Sequence, residues 1–201
     1  MLRRDVVMER GDRVFLRWVR LAVSSGNAEA LGNAASEFGS YSFKDADSAK
    51  LVGPISDAVW KELVGYLEDR RFQKLDGSFK LVLLFQSEWA RLTPTQKRLL
   101  LAPVEKSYSQ LEDRTSCLLL AEILGEYFCD RDGFEVLGRL RNTPDPVRRA
   151  YIAEGYGKLA KCTKDAQLRQ AAIARLQAMS SDNAPPVAET ARSMLRRLDM
   201  G

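Results

Sequence analysis

The chain has 201 residues, a formal net charge of +4, and 45% apolar against 29% charged residues. That length buries a continuous core unaided, and the balance is too polar for a membrane span and too apolar for disorder. The complete absence of histidine removes the usual general base, the commonest zinc ligand and the Ser/Cys–His nucleophiles together, leaving only carboxylate, lysine, tyrosine or bare cysteine chemistry.

The N-terminus, "MLRRDVVMERGDRVFLRW", has basic residues but no apolar core followed by a small-residue cleavage site, so no signal peptide is expected and the cytoplasm is the default. Helical spacing begins with Val14, Phe15, Trp18 and Ala22, recurs in Leu31, Ala34, Ala35 and Phe38, and again in Ile55, Val59, Leu63 and Leu67. Pro54 reads as the start of that third helix. Between the second and third lies the polar loop 39–48, whose Asp45 and Asp47 read as solvated carboxylates rather than metal ligands.

Asp76 opens a predicted helix through Leu92 that contains the run "LVLLF"; no partner strand exists for that run, so it reads as helix. Thr93-Pro94-Thr95-Gln96 has the composition of a capped helix start, and Pro103 should kink or end that helix. A strongly apolar helix runs from about Arg114 to Phe128, followed by the turn "CDRDG" and a helix with Phe134, Leu137 and Leu140. The next starts at Pro146, the one after follows "CTKDAQ", and the last follows "SSDNAPP". Cys117, Cys129 and Cys162 are odd in number and widely spaced, and read as buried thiols.

The pattern Ala-Glu-x-x-Gly occurs at Ala121, Glu122 and Gly125 and again at Ala153, Glu154 and Gly157, 32 residues on. Gly155-Tyr156-Gly157-Lys158 is no phosphate loop: it lacks a preceding strand and the hydroxyl residue that should follow the lysine, where Leu159 stands. Paired glycines in a helix instead permit close approach of a neighbouring backbone. Helix pairs recurring every 32 to 40 residues, with Pro146, Val147 and Ala150 in one copy and Pro186, Val187, Ala191, Leu195 and Leu198 in another, resemble short HEAT-like repeats.

The resemblance implies an all-α fold, a right-handed α-α superhelix of antiparallel helix pairs. It predicts a single domain over 1–201, with 1–72 as N-terminal helices or a cap and 76–201 as the helix pairs. It also implies a non-enzymatic scaffold, adaptor or immunity-type protein without cofactor, binding partners on the face of each pair's second helix. Arg139, Arg141, Lys164, Arg169 and Arg175 are the candidate contacts, suited to an acidic protein partner by the planar donor fork of arginine. From Arg139 onward there are 12 Lys/Arg against 6 Asp/Glu, a net of +6, and −2 for the rest (19 against 21). Nucleic-acid binding, including a DNA glycosylase-like activity, is therefore the alternative, with Trp89 and Arg91 as its nearest aromatic-basic combination. A bilin lyase or isomerase, also built on such repeats, has no distinguishing residue here.

Overall fold

The computed structural model describes residues 16–32 and 55–199. Among these there is no strand. Helical residues 16–25 (α1) and 29–32 (α2) precede α3 (Asp57–Gly65), α4 (Arg70–Gln73), α5 (Phe79–Ser87), α6 (Pro94–Leu99) and α7 (Leu101–Ser107). Then come α8 (Arg114–Glu122), a π-helical segment (Ile123–Tyr127), α9 (Arg131–Leu140), α10 (Pro146–Cys162), α11 (Ala166–Met179) and α12 (Pro185–Asp199). Val14, Phe15, Ala34, Ala35, Phe38, Asp45, Asp47 and Pro54 lie outside the described residues.

The chain forms two compact units. The first takes in the described residues up to Pro103 with Leu111–Asp113, and the second takes in Val104–Gln110 and residues from Arg114 onward. In the first unit Trp60, Phe72 and Phe85 are fully buried, and Trp60 meets Phe85 edge-on at 5.1 Å. Burial of side chains this size is worth about 1.5–3 kcal/mol each. The helix start read at Thr93 is a full capping box: Thr93 accepts the Gln96 N–H, and the Gln96 side chain accepts the Thr93 N–H. Gln96 serves the core as well, because its side-chain amide donates to the Ile55 carbonyl at 2.7 Å while its main-chain carbonyl accepts the Trp60 indole N–H. The helix expected from Asp76 begins at Phe79, since Gly77 takes a left-handed φ of 82° that no helix continues through. The helix from Pro94 is indeed cut short, at Leu99, and Pro103 falls in the first turn of α7, where proline is tolerated.

In the second unit α9, α10 and α11 each open on an aspartate, Asp130, Asp145 and Asp165, whose side chain accepts the N–H groups of the first turn. The helix read from Arg114 to Phe128 is α8 continued by the π segment, in which the Phe128 N–H reaches back five residues to the Ile123 carbonyl. α10 packs on α8, the π segment, α9, α11 and α12. Its contacts with α8 and the π segment advance together along both chains. Lys158 pairs with Glu122 and Glu126 at 2.9 and 2.8 Å, and Gly125 abuts Gly155, so the two run in the same direction about one repeat apart.

The paired glycines do what their spacing suggests. A Cβ on Gly155 would lie 2.8 Å from the Ala121 carbonyl oxygen, one on Gly125 2.1 Å from the Gly155 oxygen, and one on Gly157 2.7 Å from Met194 of α12. The cysteine reading is corrected. Cys129 and Cys162 form a disulfide with Cα atoms 6.0 Å apart, and Cys117 is the cysteine that stays a buried thiol. The pairing arises because the parallel run of the two helices brings both C-terminal ends together, 33 residues apart in sequence.

Candidate anion-docking face of α9 and α11

The five basic residues read from the sequence end in different environments. Arg139 is held by Glu105 at 2.7 Å. Lys164 is exposed in the link 163–165, and Arg169 is exposed on α11. Six positions at about 100° each set Arg169 roughly 120° around the helix from Arg175, so the two do not share a face. Arg175 follows Leu168 by seven positions, two turns on, and so lies along the buried stripe of α11 that meets α10. Arg141, at the C-terminal cap of α9, and Arg175 are both half-buried, and among the described residues neither has a hydrogen-bond or ion-pair partner.

What these two share is Tyr156. The tyrosine is fully buried in α10, edge-on to Phe134 of α9 at 5.6 Å, and its hydroxyl has no hydrogen-bond partner among the described residues. Burial pushes the phenol pKa up to about 12, against the pull of the Arg175 and Arg141 charges and with help from Glu135. Gly138, one turn before Arg141, leaves room beside the hydroxyl: a Cβ there would stand 3.6 Å from the oxygen. The sequence picks out Arg141 and Arg175 but not Tyr156 or Gly138. An interior tyrosine reads as packing until its hydroxyl is seen to lack a partner.

The remaining basic residues of the second unit are largely engaged. Arg148 faces Asp145, Arg149 pairs with Asp182 at 3.3 Å, and Arg114 with Asp145 at 3.5 Å. Burial opposes the charge on Lys158, but Glu126 and Glu122 together outweigh it and hold the ammonium above its ordinary value. In the first unit Trp89 is 8% exposed beneath the Lys97 ammonium, 5.2 Å from the ring centroid, and Arg91 pairs with Glu88. No group of three or more Cys, Asp or Glu among the described residues is placed to hold a metal, and none of their helices is long and apolar enough to cross a membrane. Comparison with family models, curated proteins and solved structures gives no match.

Proposed function

We propose that the chain is a non-enzymatic binding module, a HEAT-like helical-repeat solenoid whose second helices, α9 and α11, dock an acidic protein partner. One observation carries this reading: two arginines from successive second helices, Arg141 and Arg175, are half-buried and without a partner among the described residues. The same-direction packing of α8 and α10, with α9 between them in sequence, supports the repeat architecture. Duplex nucleic acid is the weaker alternative, because ion pairs within the fold already occupy Arg139, Arg149 and Lys158 and so reduce the charge left for phosphates. The Cys129–Cys162 disulfide argues against the cytoplasmic location read from the sequence and for an oxidising compartment, where such bonds persist.

Affinity capture from the native host, with proteins identified by mass spectrometry, tests the docking face. Arg141→Glu with Arg175→Glu is expected to abolish capture of an acidic protein, whereas Arg169→Glu with Lys164→Glu, the same change of charge at other positions, leaves it intact. Equal capture by wild type and the double variant would refute the assignment.

A further inference from the structure

The helix that begins at Arg114 loses its regular period where it meets two neighbours. In an α-helix the Phe128 N–H would go to the Leu124 carbonyl. Here it goes to Ile123 at 2.9 Å, and the Leu124 oxygen instead abuts α9, 2.1 Å from where a Cβ on Gly133 would stand. The residue that follows is also held in an unusual place: Cys129 takes a left-handed φ of 49°, the one non-glycine among the described residues to do so. In that conformation the Cβ crowds the following carbonyl oxygen, so an L-residue leaves it unless restrained. The restraint is the bond to Cys162, the last residue of α10.

That bond is not what brings the helices together. Gly125 against Gly155, and Lys158 between Glu122 and Glu126, already fix the same two helices side by side. Both cysteines are half-buried, within reach of a small thiol. A reduced Cys162 would also find acceptors in place, because its sulfur lies 3.4 Å from the Gly125 carbonyl oxygen and 3.5 Å from that of Leu159.

We propose that Cys129–Cys162 is a thiol-operated switch on the register of residues 123–129. A monothiol reductant such as glutathione attacks one bridge sulfur as its thiolate, forming a mixed disulfide and releasing the other cysteine, which takes up a proton. A second reductant thiolate displaces the first, the remaining cysteine is protonated, and the products are two cysteine thiols and the disulfide of the reductant. Freed, Cys129 leaves the left-handed region and the Phe128 N–H moves to the Leu124 carbonyl. That carbonyl then draws away from Gly133 and loosens the first turn of α9. Oxidation restores the π turn. The switch acts whether or not α9 docks a partner.

The test uses the full chain in native buffer with millimolar reduced or oxidised glutathione. Native-state alkylation read by mass spectrometry should show both bridge cysteines reduced while far-UV circular dichroism stays helical, and oxidised glutathione should restore the bond. In NMR the backbone signals of 123–133 should shift on reduction, with loss of the contact between Gly133 and Leu124, while those of 185–199 stay in place. Cys129→Ser with Cys162→Ser should give the reduced pattern in both buffers. A bond that yields to glutathione only when the chain unfolds overturns the switch and makes the bridge a plain cross-link. Reduction that leaves the 123–133 signals unmoved, or that melts the whole second unit, overturns the change of register.

Discussion

Gly125→Ala should be among the most damaging single-methyl changes in the second unit. The added Cβ would sit 2.1 Å from the Gly155 oxygen and within 2.9 Å of its carbonyl carbon and Cα. Carbon atoms in contact prefer about 3.5–4 Å, so two helix backbones must part by roughly 1 Å or more. The obstacle is main chain and cannot rotate aside. Overpacking typically costs about 1–3 kcal/mol and sometimes more, against about 1 kcal/mol gained when alanine replaces glycine in a helix. With main chain as the obstacle the upper end of that cost applies, leaving a net loss of about 2 kcal/mol and lowering the melting temperature by about 4–8 °C in a protein of this length. Gly65→Ala supplies the control, since Gly65 is exposed, has helical φ of −60°, and nothing within 4 Å of its would-be Cβ; there the same methyl should stabilise by about 0.4–1 kcal/mol. Thermal and urea melts followed by far-UV circular dichroism compare the two. Gly125→Ala as stable as wild type would refute the close approach of the two helices.

Removing the cross-link, by reductant or by Cys129→Ser with Cys162→Ser, should cost about 3–4 kcal/mol, because it closes a loop of some 33 residues. Thiol titration of the unfolded, unreduced protein should then find one free cysteine rather than three. Asp145→Ala should cost about 1 kcal/mol through the lost cap of α10, measured by urea melts. The Asp145 carboxylate is pushed up by burial but pulled further down by the N–H groups of Val147 and Arg148, to below its ordinary 3.8. Its contribution is therefore present above about pH 4 and lost as pH falls through the lowered native value, and this acid-side loss should shrink in the variant. Glu154 has the opposite sign: burial and the charge of Glu122 raise it above 4.5. Its contribution is present below that value and lost as pH rises through the raised one, so Glu154→Gln should flatten that decline in stability-versus-pH curves.

Two helix starts were legible in the sequence because they depend on local chemistry, whereas the one read at Asp76 was not. Thr93 with Gln96, and Pro146 after Asp145, carry their own hydrogen-bond partners within a turn. The close approach at Gly155 and Gly157 was legible for a related reason, since few other roles explain two glycines inside an amphipathic helix. Long-range geometry was not. Nothing local relates Cys129 to Cys162, whose meeting depends on two helices running in parallel, and the π segment breaks the 3.6-residue period without any residue that announces it. The candidate site divides along the same line. Charge pointed to Arg139, Arg141, Lys164, Arg169 and Arg175 alike, but only packing shows that Arg139 is held by Glu105 and that the Tyr156 hydroxyl is buried without a partner among the described residues.

The glycine contacts also bear on how far such layering can extend. Gly125 and Gly157 each lie four positions after the alanine of an Ala-Glu pair, and each admits the next long helix, α10 and α12 respectively. The pair recurs in α12 as Ala188-Glu189, but the corresponding position is Arg192, exposed and donating to the Ser180 carbonyl at 2.8 Å. A long cation stands where a bare Cα would be required. A neighbour at that point of α12 would meet the arginine side chain before the backbone, unlike the approach of α10 at Gly125.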